Sequence, residues 1–284
     1  MSEEIISLEH FSYIYPQTEK MVLKDIDLHI KKGSFIGVIG ANRAGKSTMC
    51  TAFTGLIPFV LGGQYNGVLR VNGEEIDDNN VASVTRTVGI VFQDAESQFS
   101  QETVEDEIAF GMCNVGIPHD EMVERMNMVA DSCNLKDLLK RSPFSLSGGQ
   151  QQRVAVACIL ALRPQVIILD ETTSQLDPIA RQDVFRIAQG LHHAGYTIIM
   201  VDHNIEKLVE YSSDLVVLHE GSIWMQGPCK EVLQKREKLE QAGIRLPQVT
   251  LAAAELMPES TGKWPATLDE AIPFFKTGEK NTCQ

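Results

Sequence analysis

What this sequence lacks narrows it first. No run approaches the roughly 18 apolar residues that a membrane-crossing helix requires, so any membrane role has to come through a partner. Paired cysteines are missing as well. Cys50, Cys113, Cys133, Cys158, Cys229 and Cys283 include no CxxC spacing, and several lie inside apolar segments. That is the pattern of small buried thiols in a reducing compartment, not of a disulfide framework. The first residues, Met1-Ser2-Glu3-Glu4, are acidic where a signal peptide would need a basic start, so a cytosolic chain is expected. Positive charge is scarce: 25 Lys and Arg stand against 38 Asp and Glu, for a net charge of −13. This argues against a general grip on nucleic-acid backbones but leaves room for a basic contact on a membrane-bound partner. There is no internal repeat. With 284 residues, 43% hydrophobic and 22% charged, the chain suits one large domain or a domain plus an extension.

Against this background one stretch stands out. Gly40-Ala41-Asn42-Arg43-Ala44-Gly45-Lys46-Ser47-Thr48 reads GxxxxGKST, follows the apolar run Phe35–Ile39 and precedes a predicted helix at Met49–Phe53. Strand, glycine-rich loop and helix in that order make a P-loop. Backbone N–H groups and the helix dipole converge on phosphate oxygens. Lys46 is placed to reach the β- and γ-phosphates and Ser47 to ligate magnesium, with Thr48 beside it. Tyr15, upstream, either stacks on an adenine or packs beneath a turn.

The alternating stretches 5–11 and 23–30 predict an antiparallel sheet that opens the domain. Strands are also predicted at 67–73, 87–92, 166–169 and 197–201, with a hairpin at 215–218 and 222–225 around Glu220-Gly221. Residues 94–146 read helical, with Thr103 capping a helix and Met122, Met126, Met128, Val129 and Leu135 as its neighbour's apolar positions. A helix runs from Pro178 to about Gly195. Strands alternating with helices imply an α/β fold with a mainly parallel sheet. Beyond Pro228 a charged helix is expected at 231–241 and a short one at 249–257, then a proline-broken segment at 261–275 and a loose tail from Thr277.

Two further motifs carry chemistry. The apolar strand at 166–169 delivers Asp170 and Glu171 at its C-terminal end, where open parallel sheets bind ligands. Asp170 suits magnesium, and Glu171 suits polarising an attacking water. Leu146-Ser147-Gly148-Gly149-Gln150 precedes a helix that Ser147 can cap, and so makes a second anion site. Two phosphate sites about a hundred residues apart are unlike one pocket. They fit a sandwich in which the P-loop of one subunit faces the LSGGQ of another across ATP.

The ordered set resembles the ABC ATPases, the nucleotide-binding subunits of ABC transporters, over residues 5–227. That resemblance implies a P-loop NTPase with an N-terminal antiparallel β subdomain, an inserted helical subdomain at about 94–165 and an extension at 228–284. It implies that Gln93 is the Q-loop glutamine, which senses magnesium and the γ-phosphate. Ser174-Gln175-Leu176-Asp177 would be the D-loop crossing the dimer interface, and His203 the switch histidine on the γ-phosphate. Val88–Gln93 followed by Gln98, Thr103–Gly111 and Leu246-Pro247 are similar to the energy-coupling-factor (ECF) group, including the cobalt-transport ATP-binding subunit. Such subunits work with ATP and Mg2+ on the cytoplasmic face of the cell membrane. Their partners are a second ATPase, a transmembrane coupling subunit and a substrate-binding membrane subunit that takes up a vitamin or metal ion.

Three residues depart from the pattern. Arg43 stands where a small residue is usual, adding charge near the phosphates and straining the loop. Thr172 replaces Pro or Ala. Asp202 precedes His203, where its carboxylate would act on the histidine. The acidic residues Asp94, Glu96, Glu102, Glu105, Asp106 and Glu107 suggest a groove for a basic helix of the membrane partner. The alternative is a soluble ABC ATPase in DNA repair or translation, but the insertion is too short for the repair type's coiled coil and one cassette is too few for the translation type. A non-hydrolysing regulatory module is disfavoured by the complete set Lys46, Gln93, Asp170, Glu171 and His203.

Overall fold

Period-two alternation builds the β framework. The computed structural model describes residues 3–260 and 263–278. Strands β1 (Glu4–Ile14), β2 (Met21–Lys31), β4 (Gln64–Val71) and the two-residue β5 (Glu74–Glu75) form an antiparallel sheet in the order β2-β1-β4-β5. The second sheet has the order β10-β9-β3-β8-β7-β6, from β3 (Phe35–Gly40), β6 (Val88–Val91), β7 (Val166–Asp170), β8 (Thr197–Val201), β9 (Asp214–His219) and β10 (Ser222–Pro228). Its strands are parallel except β10, which pairs antiparallel with β9. Expected strands are therefore all present, in a P-loop NTPase arrangement.

Successive residues of the central strands serve two cores. Phe35, Ile39, Ile167, Leu169, Ile198 and Met200 face the helical side. Ile36, Val38, Val166, Ile168, Ile199 and Val201 face the antiparallel sheet and α1 (Lys46–Phe53). Burial on both faces explains why these runs are continuously apolar. The C-terminal ends of β3, β6, β7 and β8 lie at one end of the sheet, and those ends with the segments that follow them carry Gly40–Thr48, Gln93, Asp170–Glu171 and His203.

After the short α2 (Val81–Val84), the inserted part consists of α3 (Val104–Asn114) and α4 (His119–Ser132), followed by α5 (Gly148–Ala161). Thr103 caps α3 as expected, accepting from the Asp106 amide. Half-buried Met122 and Met126 and buried Val129 and Cys133 form the core-facing stripe of α4 and its end, but Met128 is exposed, because it falls one position off that three–four spacing. Helices α6 (Pro178–His193) and α7 (Ile205–Tyr211) complete the α/β layer.

The extension differs from expectation in two places. The single helix expected at 231–241 is split into α8 (Cys229–Leu233) and α9 (Arg236–Gln241). Between them the Gln234 side chain bonds both the N–H and the C=O of Trp264, each at 3.2 Å, which diverts the chain. Following α10 (Gln248–Leu256), α11 (Leu268–Gly278) runs through Pro273 where a break was expected. Phe274 and Phe275 pack there against Ala253, Ala254 and Trp264, so tertiary packing overrides proline's local preference. Cys229, Val232, Leu233, Leu239, Ile244 and Leu246 are buried in the same core as the parallel sheet. Residues of the expected loose tail beyond Gly278 lie outside the described residues. No described helix is long and apolar enough to cross a membrane. The five described cysteines are unpaired, and burial pushes the Cys133 thiol up to about 12.

Candidate active site

The P-loop wraps the start of α1. Gly45 holds φ 103° with its α-carbon so close that an added Cβ would lie 3.1 Å from the Val22 carbonyl oxygen, a place only glycine fills without strain. Lys46 is buried; its Nζ donates to the carbonyls of Gly40 (3.1 Å) and Ala41 (3.2 Å) and lies 3.4 Å from Glu171 Oε1. Ser47 Oγ donates to Asp170 Oδ1 at 3.2 Å. Thr48 Oγ1 is 3.2 Å from the Tyr15 hydroxyl, and the Tyr15 ring meets Tyr13 edge-on at 4.9 Å. Tyr15 therefore touches both the P-loop helix and the packing beneath the turn.

Asp170 and Glu171 diverge because Glu171 takes φ 52° immediately after β7, with its amide bonded to the Val201 carbonyl at 3.0 Å. Asp170 stays buried, and that burial raises its carboxyl pKa, opposed by the Ser47 hydrogen bond and Lys46 and reinforced by Glu171. Glu171 Oε1 also lies 3.1 Å from His203 Nε2. The carboxylate on the histidine is thus Glu171, not the neighbouring Asp202. Asp202 turns inward and accepts hydrogen bonds from the Thr173 hydroxyl and, at 2.7 Å, from the Asn204 amide. Its expected action on His203 is corrected accordingly. Thr172 is buried with its hydroxyl unpartnered, a cost of about 1–3 kcal/mol that alanine would avoid.

Gln93 is exposed, and its amide donates to Ser174 Oγ at 3.0 Å, joining the loop after β6 to the segment Ser174–Asp177. Asp177 caps α6, accepting from the amides of Ile179 and Ala180, while Leu176 is buried and its carbonyl holds Arg181. At the other motif, Ser147 and Gln150 form a reciprocal capping box on α5, and Leu146 is buried. The two glycines differ: a Cβ on Gly148 would meet Leu176 at an ordinary 3.5 Å, one on Gly149 would strike Ala180 at 2.6 Å. Among the described residues no hydrogen bond or ion pair joins 146–150 to 40–48. The structure therefore brings Lys46, Ser47, Asp170, Glu171 and His203 into one contact chain, links Gln93 to it through Ser174, and leaves the LSGGQ segment apart.

Oxygen donors from Ser47 and Asp170, side by side at the phosphate loop, suit a small hard cation such as Mg2+. Gln93 contacts neither of them here.

Two features were invisible in the sequence. The hairpin turn at Gly221 locks the P-loop to β2: its N–H donates to the Ala44 carbonyl at 3.1 Å and its carbonyl accepts the Lys24 amide at 2.8 Å. Nothing in Glu220-Gly221 beyond a turn signal announces this. Gly221 has φ 87°, and a Cβ would stand 2.4 Å from the Val22 oxygen. Gly221→Ala should cost about 2–4 kcal/mol of stability and raise the KM for ATP, checked by thermal unfolding beside steady-state kinetics. The second feature is the extension's reach. Gly243 lies against Ala41, 3.9 Å from a built Cβ, and with Arg245, Glu171 and His203 it lines a cleft of about 1000 Å3.

The acidic run is not one solvated face. Glu107 is buried and accepts the amides of Ser100 and Gln101, both at 2.7 Å. Glu105 pairs with Lys140, and Asp106 takes the Thr103 hydroxyl. Asp94, Glu96 and Glu102 remain exposed.

Residues 23–174 match the family model described as ABC transporter. An energy-coupling factor transporter ATP-binding protein, EcfA1, of Enterococcus faecalis is 38% identical over 247 residues, covering 86% of each chain. EcfA2 of Acetivibrio thermocellus is 36% identical over 280 residues, 97% of this chain and 96% of that one. Among solved structures, CbiO1 from Clostridium perfringens, part of the ABC transporter complex cbiONQ, superposes with a TM-score of 0.75 at 30% identity, over 90% of this chain and 99% of that one. A dimeric ATP-binding cassette bound to ADP and Pi shares the fold, with a TM-score of 0.68 at 24% identity, over 79% of this chain and 99% of that one.

Proposed function

The chain belongs to the ABC transporter ATPase family, and from that premise we propose that it is the ATP-hydrolysing motor of an ECF-type importer, peripheral on the cytoplasmic face of a membrane. The reading rests above all on the contact chain that joins Lys46 to Glu171 and His203, beside Ser47 and Asp170.

In this reading the loop amides and Lys46 hold the phosphate chain. As the γ-phosphate engages Lys46, the ammonium exchanges part of its contact with Glu171 for phosphate oxygens, leaving Glu171 to accept a proton from the attacking water. His203, already on Glu171, orients that carboxylate and donates toward the γ-phosphate. Ser47 and Asp170 would hold Mg2+, which would supply neutralisation of phosphate charge, and Gln93 would sense it from the loop after β6. Tyr15 borders the adenine. A second ATPase subunit, the same chain or a related one, supplies its Leu146–Gln150 across the nucleotide, with Ser174–Asp177 crossing the seam.

Partner membrane subunits couple the cycle to uptake of a vitamin or metal ion. The groove beside Gln93, with exposed Asp94, Glu96 and Glu102 and the ring pair Phe99–Phe144, offers charge and apolar area to a basic amphipathic helix. The test is a detergent pull-down of the tagged chain from its native membranes with mass spectrometry. Co-purification of a transmembrane coupling protein and a small substrate-binding membrane protein is expected. Recovery from the soluble fraction with ribosomes or DNA-processing proteins would sink the importer reading.

A further inference from the structure

Three cations that the catalytic scheme leaves unused converge on one cleft. Arg43, Lys20 and Lys24 line a space of about 470 Å3 in front of the P-loop, together with Ser47, Thr48 and the Gly221 turn. Among the described residues none of the three side chains makes an ion pair or hydrogen bond, although Glu220 borders the same space. In a chain of net charge −13, three unpaired cations at one opening are a demand for an anion. Arg43 adds a second observation. It sits at φ 66°, a left-handed conformation that glycine adopts freely and arginine does not. A strained backbone at a functional loop points from geometry to function.

We propose that Arg43, flanked by Lys20 and Lys24, grips the α- and β-phosphates of the nucleotide from the side opposite Lys46. This deepens the nucleotide-site reading and rests on it. Lys46 Nζ points toward Gly40, Ala41 and Glu171, the γ-phosphate end. Thr48 leads toward Tyr15, the base end. The cationic cleft opens on Gly45, Ser47 and Thr48 between them, so its charge addresses the phosphates common to ATP and ADP. Arg43 therefore strengthens both nucleotides alike and slows ADP release, instead of discriminating between them.

The test measures Kd for fluorescent ATP and ADP analogues with the full chain, at low and high salt, for wild type, Arg43→Gly and Arg43→Lys. Arg43→Gly should weaken both analogues by about tenfold at low salt, with a smaller loss at high salt, and Arg43→Lys should recover part of it. The ligand-free melting temperature of Arg43→Gly should not fall, because glycine relaxes the loop. The Lys20→Ala/Lys24→Ala variant leaves the loop backbone untouched and should lower both affinities in the same direction. Unchanged affinity in Arg43→Gly, or a loss confined to the ATP analogue, would overturn the grip while leaving the nucleotide site intact. A wild type that binds neither analogue would overturn the site itself.

Discussion

Glu171→Gln is expected to lower phosphate release at saturating Mg-ATP by about 10²–10⁴-fold, which corresponds to roughly 3–5 kcal/mol of transition-state stabilisation. The amide is isosteric, so the turn at φ 52° and the contact with His203 can be kept, but it cannot accept the proton of the attacking water. Binding should survive. The substitution also removes the carboxylate that competes with phosphate for Lys46 at 3.4 Å, so ATP affinity should be equal to or higher than that of wild type. The signature is therefore a collapse in turnover with binding retained. A variant that hydrolyses ATP within about threefold of wild type would assign the base elsewhere. A variant that loses binding and turnover together would make Glu171 structural.

The parallel sheet and its motif loops were legible because their signals are local. Continuous apolar runs mark strands buried on both faces, and GxxxxGKST, Asp170-Glu171 and Leu146–Gln150 carry their chemistry in consecutive residues. Order along the chain also singled out Gln93 and His203, which the fold sets against Ser174 and Glu171. What could not be read was direction. Asp202 lies beside His203 in sequence, yet its side chain goes to Thr173 and the Asn204 amide; the partner of the histidine is Glu171, just past the end of the preceding strand, β7. Glu107 looked like one more acid in a charged run, but it is spent on two loop amides. The Gly221 brace joins residues 44, 24 and 221, separations over which no short pattern extends. Even the helix through Pro273 follows from non-local packing on Trp264, where local propensity alone predicts a break.

The separation of the P-loop from the LSGGQ segment within one chain makes the second large prediction. Lys46→Ala removes the ammonium from the phosphate site, and Gly148→Asp places a carboxylate where the α5 N-terminus should meet phosphate. Each variant alone should lose at least about 10²-fold in turnover, the first by lost charge stabilisation and the second by repulsion. Gly148 is the right glycine for this purpose. A side chain there finds ordinary contact with Leu176, whereas Gly149 would collide with Ala180, so Gly148→Asp should melt close to wild type. If two copies of this chain form the sandwich, equal mixtures of the variants must contain mixed dimers. In each of these one site carries both lesions and the other carries none. Random pairing makes half of the dimers mixed, so about a quarter of the wild-type sites are rebuilt, and turnover should rise to about that share. Sites completed within a single chain would give no recovery at all, because each mutant chain spoils its own site. The same silence would follow if the natural partner were a different ATPase chain. Adding that chain to each variant separately would then restore activity to one site per dimer, in which this chain contributes only its unmutated motif.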